Sequence, residues 1–342
     1  MASTLQALAD RQDRPNDLVA AGEVIDLRFT NGGRTLSTSA SKLFHLLVQH
    51  AGSAVTEPRE HRVRISLLLG QGLRKMTLTE LLECLQELVG SVISVRVRDG
   101  SERPHTKVGS FLAHLEQDHD AETGELIYEF SKTLRYVFGR SSYWVVLDRR
   151  ATMAFESRYG IRLYELIAVR GGLEHKTTET FALDDLRARF GVPDGKLLRW
   201  QDLKRKVLEM AVSEVNHLSA FNVTWAPIKN GRSVAAVSLT WKRKDKLELV
   251  AAAREANRSR LGRKLRRDGA AELTAVPPTF PDGSIRYTRW AELVREHAPS
   301  PTPDVDLVAD RFRAFCRGRK LPLNAATIER AFIGYCQRFQ LR

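Results

Sequence analysis

The chain has 342 residues and a formal net charge of +13. This length allows two or three domains that each bury a core, and the charge favours a polyanionic partner, nucleic acid before an anionic membrane surface. No apolar run reaches the length of a membrane span, and the polar N-terminus has the pattern of neither a signal peptide nor a transit peptide.

The first part of the chain is expected to hold an arm and one domain. Residues 1–35 contain three glycines and no sustained periodicity, which predicts a flexible N-terminal arm. Apolar spacing then predicts helices within 39–52, 61–72 and 76–90, a strand within 91–100, and a strand passing into a helix at 126–139. These elements define a first domain at 36–139. Its third helix opens with a capping-box pattern at Thr77 and Glu80, and its acidic, leucine-rich composition suits a protein interface.

A similar order of elements recurs at 140–243, which predicts a second domain. A helix from Arg149 to Arg170, interrupted near Tyr159-Gly160, precedes a short amphipathic helix at 183–190 and a long helix at 200–218. The two halves share order rather than sequence, so a duplication is a hypothesis.

The long helix and the hairpin that follows it carry the strongest functional signal. The expected buried stripe consists of Leu203, Val207, Met210, Ala211, Val215 and Leu218. Arg205 and Lys206 fall on the opposite side of this helix. Asn230-Gly231 then separates two runs of alternating polarity, which predicts a hairpin turn with positive φ at both positions.

A helix, a glycine-containing turn, a second helix and a hairpin together form the pattern of a winged helix. Its long helix would enter the major groove of DNA, and the hairpin tip, with Lys229 and Arg232, would reach a phosphate or the minor groove. The alternative is that the basic residues are an ordinary solvated face. The preceding short helix favours DNA binding.

The remaining chain divides into a basic segment and a small helical domain. Residues 244–274 predict an increasingly basic helix and the start of a linker; this helix either lies along DNA phosphates or is only a solvated surface. Residues 275–342 predict the rest of the linker and a small all-α domain, whose aromatic stripes, such as Phe312 with Phe315 and Phe332 with Tyr335, are expected to be core.

The sequence contains no pattern of a catalytic, cofactor or metal site. It lacks a phosphate-binding loop, the histidines are scattered, and the three cysteines lie far apart in apolar helices, as small core residues of a cytoplasmic protein would. We therefore expect a protein that is not an enzyme and uses no cofactor or metal.

Four stretches resemble the iteron-binding replication initiators of theta-replicating plasmids, which contain two winged-helix domains. These stretches are ESRYGIRLYELIAVRGG, FALDDLRARFGV, LRWQDLKRKVLEMAVSEVNHLSAFNVTW and IKNGRSVAAVSLTW. The family's basic triplet is matched by 204–206, its Glu-hydrophobe-Asn ending by 214–216, and its basic-Gly-basic wing by Lys229, Gly231 and Arg232. Residues 1–35 and 275–342 lie outside the resemblance.

The resemblance implies an α+β chain with two tandem winged-helix domains followed by the all-α domain. It implies a bacterial cytoplasmic protein that binds direct repeats at a plasmid origin, helps to open it, and recruits the host replication initiator and helicase. Dimers formed through the first domain would bind an inverted repeat and repress the protein's own promoter. The candidate DNA-binding residues are Arg199, Gln201, Lys204, Arg205, Lys206, Lys229, Gly231 and Arg232.

Two other classes of protein remain open at this point. A winged-helix transcriptional repressor would show the same helix, wing and charge without any role in replication. A nickase or recombinase would instead cut the DNA or form a covalent adduct with it.

Overall fold

The computed structural model describes residues 3–28, 35–70, 76–97, 105–118, 124–173, 176–268, 279–286, 288–319, 321–325 and 327–339. The chain forms two compact units, Met1–Arg263 and Lys264–Arg342. In the described parts of both units, no helix is long and apolar enough to cross a membrane.

The first half of the first unit is a mixed α+β domain. Its helices are α1 (Thr4–Ala9), α2 (Gly22–Ile25), α3 (Thr38–Ala51), α4 (Ile65–Gly70), α5 (Leu78–Gly90) and α6 (Lys132–Arg140), with a 3₁₀ turn at Gly52–Thr56. Its strands are β1 (Asp17–Ala21), β2 (His61–Arg64), β3 (Ile93–Val97), β4 (His105–Gly109), β5 (Leu112–Gln117), β6 (Glu125–Phe130) and β7 (Trp144–Asp148). All pairings are antiparallel, in the sheets β2-β6-β5, β3-β4 and β1-β7.

The second half adds a helical layer and one three-stranded sheet. Its helices are α7 (Arg149–Ala154), α8 (Arg158–Gly171), α9 (Leu183–Phe190), α10 (Trp200–Leu203), a π-helical turn (Lys204–Leu208), α11 (Glu209–Leu218) and α12 (Lys246–Asn257). Strands β8 (Thr178–Ala182), β9 (Phe221–Asn230) and β10 (Ser233–Arg243) pair in the order β8-β10-β9. Each half is therefore a winged-helix arrangement, which confirms the expected fold class.

The N-terminal segment is not a flexible arm, and that prediction is wrong for residues 3–28. Strand β1 pairs with β7 from Asp17↔Asp148 to Ala21↔Trp144, and Leu18 is completely buried. The pairing partner lies about 130 residues away along the chain, so local periodicity contains no signal for it. The rest of the predicted arm, 1–2 and 29–34, lies outside the described residues.

The stretch 61–72, predicted as a helix, begins as a strand. His61 and Val63 of β2 are buried while Arg62 and Arg64 are exposed, which is the alternation of a strand with one covered face. Helix α4 follows at Ile65–Gly70. The capping box at the start of α5 is confirmed: the Thr77 N–H donates to the Glu80 carboxylate at 2.8 Å, and the Glu80 N–H donates to the Thr77 hydroxyl at 3.2 Å.

The two halves lie within one compact unit, Met1–Arg263, and one helix contacts both of them. Helix α8 packs against α3 and β7 of the first half and against α11 and β10 of the second. The predicted helix from Arg149 to Arg170 is interrupted at Phe155–Ser157, slightly before the expected Tyr159-Gly160. The two winged helices thus share one apolar core.

The second unit contains short helices around a separate core. Helix α13 (Arg263–Arg267) begins at the boundary, and α14 (Arg289–His297), α15 (Val305–Gly318) and α16 (Ile328–Cys336) follow. Phe280, Phe312 and Phe332 are buried at its centre, with ring centroids 4.8–4.9 Å apart. The small all-α domain is therefore present; the linker predicted around 269–278 lies outside the described residues.

Candidate nucleic-acid interface

The long helix at 200–218, here called the recognition helix, is continuous but contains a π-helical turn at Lys204–Leu208. Five residues of the expected stripe are buried, namely Leu203, Val207, Ala211, Val215 and Leu218. Met210 is only half-buried, and Leu208 is buried in addition. A π-helical turn holds more residues than an α-helical turn, which shifts the buried positions; such turns are frequent at functional sites. The altered turn coincides with the basic triplet.

The three basic residues of the triplet have different surroundings. The Lys204 ammonium lies 3.5 Å from the Glu209 carboxylate and 5.7 Å from the Trp225 ring centroid. The Lys206 ammonium lies 3.3 Å from the Asp202 carboxylate. Arg205 is exposed and, within the described part of the chain, forms no ion pair. Its guanidinium is therefore the one in the triplet that is ready to bind an external anion or base edge.

The segment before the recognition helix is fixed by side-chain contacts. Gly191 ends α9 in the left-handed conformation, with φ 59°. From α9, the Arg187 guanidinium donates to the carbonyl of Leu198 at 2.9 Å. Arg199, which caps the recognition helix, and Gln201 are both exposed. Both can therefore reach DNA bound along this helix.

The hairpin formed by β9 and β10 is the wing. Asn230 pairs with Ser233, so the two turn residues are Gly231 and Arg232 rather than Asn230 and Gly231. Only Gly231 has positive φ, at 61°, as at the first position of a type II′ turn. The expectation of positive φ at both Asn230 and Gly231 is therefore wrong. Lys229 and Arg232 are exposed at the tip, as a phosphate contact requires.

Two residues that the sequence singled out only by resemblance prove to hold the interface in place. Asn216 forms two hydrogen bonds with the backbone of Val223 in β9, at 2.6 and 2.9 Å. The buried Glu214 carboxylate accepts from the N–H groups of Glu156 at 2.8 Å and Ser157 at 3.2 Å, just before α8. The Glu-hydrophobe-Asn ending therefore joins the recognition helix to the wing on one side and to α8 on the other.

The N-terminal segment also supports the helix-turn-helix. The Asp26 carboxylate accepts from Arg170 at 2.8 Å and from Arg189 of α9 at 2.6 Å. Burial works against the ionised form of Asp185, but hydrogen bonds from Arg189 and Arg28 hold the pKa of this carboxyl below its usual value. These ion pairs fix α9 to the first winged helix. Local sequence patterns do not predict these ion pairs, because their partners lie far apart in the chain and residues 1–35 were expected to form an arm.

The basic segment after the wing is not one uniform surface. Arg263 is 3% exposed; its guanidinium donates to the Ala154 carbonyl at 2.7 Å and lies 3.3 Å from the Glu255 carboxylate. This arginine docks the segment onto α7, so it is unavailable to DNA. Arg254 and Lys264, by contrast, are exposed.

One group of side chains has the composition of a metal site. Glu60, His114 and Glu116 each place one potential ligand atom within 4.8 Å of the others. His114 already lies 3.0 Å from the Glu116 carboxylate, and both are exposed. Exposed acidic groups of this kind are common without a metal, so we assign no metal to them.

Two family models match this chain. The model described as "Initiator Replication protein, WH1" matches residues 24–168, and the model described as "Initiator Rep protein, WH2" matches residues 182–241. Together they span more than half of the chain, and the second contains the recognition helix and most of the wing. The first match reaches residue 168, into α8, the helix that both halves share.

Two solved structures give weaker similarities. The Pi initiator protein in complex with iteron DNA is 18% identical, with a TM-score of 0.48 over 68% of this chain and 99% of that chain. Domains 2 and 3 of RctB are 10% identical, with a TM-score of 0.38 over 70% of this chain and 98% of that chain. No curated protein matches the chain.

Proposed function

We propose that this chain, which belongs to the initiator Rep protein family, starts the replication of a plasmid by binding direct repeats (iterons) at its origin. The second winged helix reads the base sequence. The observation that carries this proposal is the exposed Arg205 on the recognition helix, which lacks an internal ion pair among the described residues. A guanidinium in this position can bind two acceptors on a guanine in the major groove.

The wing supplies affinity rather than sequence preference. Lys229 and Arg232 lie at the exposed tip of a hairpin that Asn216 holds against the recognition helix. Positive side chains at such a tip bind phosphates, and phosphate contacts set the register of a protein on DNA. The formal charge of +13 adds long-range attraction.

The first winged helix contacts an adjoining groove or a second copy of the chain. Exposed apolar side chains at α5 and the β3-β4 hairpin support self-association: Leu78 is 44% exposed, and Val92 and Val108 are each 62% exposed. Monomers act at the direct repeats. Dimers bind an inverted repeat at the protein's own promoter and repress it.

Replication requires steps beyond DNA binding. Bound copies bend the origin, help to open an AT-rich segment, and recruit the host replication initiator and helicase. These roles place the protein in the bacterial cytoplasm, where plasmid origins lie. None of them needs a bond-making step by this chain, so we propose that it is not an enzyme and uses no cofactor.

The first experiment is footprinting of the purified full-length protein on the DNA that flanks its own gene. The expected result is protection of regularly spaced direct repeats, and a plasmid that carries the gene with this flank should replicate in a suitable host. Protection of a single inverted repeat, together with failure of the plasmid to replicate, would instead favour a transcriptional repressor. Strand breaks or a covalent protein–DNA adduct in the presence of Mg²⁺ would contradict the non-enzymatic mechanism.

A further inference from the structure

The second unit contains a concave site that the proposed function does not use. A cavity of about 250 Å³ lies where the ends of α15 and α16 meet. It is lined by Arg311, Phe315, Arg319, Tyr335, Arg338 and Phe339. Arg311, Phe315 and Arg319 follow one another at intervals of four, which places them along one side of α15 and its C-terminal cap.

The aromatic residues of this unit fall into two groups with different surroundings. Phe312 and Phe332 are completely buried and form the core that the sequence predicted. Phe315 and Tyr335, from the same two stripes, are only half-buried and line the cavity, with ring centroids 5.2 Å apart. Phe315 and Tyr335 therefore pack against the predicted core, as expected, and also remain partly exposed along the cavity.

The three arginines of the cavity are positioned by its aromatic rings and by backbone. The Arg319 guanidinium lies 4.9 Å from the Phe315 ring centroid, and that of Arg311 lies 5.4 Å from the Phe339 ring centroid. The Arg338 guanidinium donates to the Gly334 carbonyl at 2.8 Å. A guanidinium that is held over a ring keeps its N–H donors directed outward in its own plane.

The cavity is also positively charged. None of its six lining residues is acidic. The carboxylates of α15 pair elsewhere: Asp306 lies 2.8 Å from the Arg286 guanidinium, and Asp310 lies 2.5 Å from that of Arg313. A lining with three arginines and no acidic residue favours an anionic ligand, and the partly exposed rings favour one that also carries an aromatic or flat apolar part.

We propose that this cavity binds single-stranded DNA, with one unpaired base against Phe315 and Tyr335 and the neighbouring phosphates on Arg311, Arg319 and Arg338. Aromatic rings combined with arginines are the features that bind single strands without sequence preference, because every base has a π-face. In a duplex the bases are stacked inside the helix, and a cavity of this size admits a single base but no duplex. An acidic peptide would use the arginines and leave the rings without a role.

This site gives the chain a second mode of DNA binding, independent of the recognition helix. It lies in the second unit, outside both family matches. The binding of single-stranded DNA by this cavity does not depend on the proposed function. Only the identity of the strand, one that is released when the origin opens, rests on the proposed function.

The test is the fluorescence anisotropy of a labelled 20-nucleotide oligo(dT) with the full-length chain, across a salt series. We expect Arg319→Ala combined with Arg338→Ala to weaken binding by about tenfold, which is the range for the loss of one or two such contacts. The matched control is Arg317→Ala, which removes an exposed arginine of the same helix outside the cavity and should change binding by less than about twofold. None of these variants should change binding to the duplex that the footprint identifies.

The contribution of the rings is tested separately. Tyr335→Ala should weaken oligo(dT) binding about fivefold or more, whereas Tyr335→Phe, which keeps the ring, should bind as the unchanged protein does. Circular dichroism shows whether the alanine variant folds. As a measurement independent of any variant, an oligonucleotide with 5-iododeoxyuridine should crosslink on irradiation to a peptide that contains Phe315 or Tyr335.

Several outcomes would overturn the proposal. They are unchanged oligo(dT) binding in the double arginine variant, an equal loss with Arg317→Ala, a crosslink confined to the first unit, and displacement of the oligonucleotide by polyglutamate as readily as by unlabelled oligo(dT). Arg205→Ala separates this site from the proposed function, because it should lose the specific duplex and retain oligo(dT).

Discussion

The side-chain amide of Asn216 forms hydrogen bonds with both backbone polar groups of Val223. Its Nδ2 donates to the Val223 carbonyl at 2.9 Å, and its Oδ1 accepts from the Val223 N–H at 2.6 Å. Strand β9 is an edge strand, so these two backbone groups have no strand partner on that side. One side chain of the recognition helix therefore completes the edge of the wing and fixes the wing relative to the helix.

We expect Asn216→Ala to lower the free energy of unfolding by about 1–3 kcal/mol, because Val223 is 1% exposed and its backbone groups would lose their partners. Specific DNA binding should weaken as well, since the wing is no longer held. Urea unfolding followed by circular dichroism measures the first effect. Asn222→Ala, in the same strand but with an exposed hydrogen bond to Glu248, is the control and should stay within about 0.5 kcal/mol of the unchanged protein.

Arg205→Ala should cost about 1–3 kcal/mol of specific binding and remove discrimination at one base position of the repeat. Lys206 has Asp202 as an internal partner, so Lys206→Ala should cost less. Competition binding with repeats that differ at single positions measures both. Equal weakening by Arg205→Ala on specific and random duplexes would show that this arginine contacts only phosphate.

Lys229→Ala and Arg232→Ala should lower affinity for every duplex to a similar extent. Each should also reduce the slope of log affinity against log salt by roughly one unit, because each removes one phosphate contact. Binding isotherms at four or five salt concentrations give the slope. Loss of discrimination between repeats, with the slope unchanged, would instead place the wing on base edges.

Gly160→Ala should destabilise the first unit by about 1–3 kcal/mol. A Cβ at Gly160 would lie 2.0 Å from the Glu214 carboxylate oxygen, and this buried carboxylate is held by the N–H groups of Glu156 and Ser157. The carboxylate would have to leave these donors. Gly90→Ala, at the end of α5 with nothing within 4 Å of the added carbon, is the matched control; equal unfolding midpoints for the two variants would contradict the argument.

Stability of the first unit should rise with pH above neutrality because of Lys42. Burial, together with the charge of Arg260, lowers the pKa of this lysine from 10.5 to about 7. Between these two values the unfolded chain holds a proton that the folded chain has lost, so unfolding becomes less favourable as pH rises, by up to about 1.4 kcal/mol per pH unit. The neutral amine still has donors for the carbonyls of Met153 and Phe155.

The comparison with Lys42→Met isolates this contribution from other groups that titrate. Urea unfolding at pH 7, 8 and 9 should give a steeper rise for the unchanged protein than for Lys42→Met. The variant should also be less stable at pH 9, because the two carbonyls lose their donor. Parallel slopes would mean that Lys42 keeps its charge in the folded protein.

Local pattern was sufficient to predict the main helices and the wing, whereas the family was identified through the resemblance of four stretches to known initiators. The capping box at Thr77 and Glu80, the buried stripe from Leu203 to Leu218, and the basic residues at 204–206 all depend on residues within a few positions of one another. The periodicity of helices and strands relates residues that are only a few positions apart, so such features can be predicted directly from the sequence. The exposed position of Arg205 follows from the same projection.

Pairing across long distances was decided only by the tertiary structure. Strand β1 meets β7, Asp26 meets Arg189, and Glu214 meets the backbone before α8, all between residues far apart in the chain. Two arginines show the same effect: Arg263 is buried against Glu255 and a backbone carbonyl, whereas Arg205 is exposed and forms no ion pair with the described residues. A sequence shows which residues are charged or apolar. A charged side chain can be buried only where other groups form hydrogen bonds or ion pairs with it, and in this chain those groups are distant in sequence and are brought together only by folding.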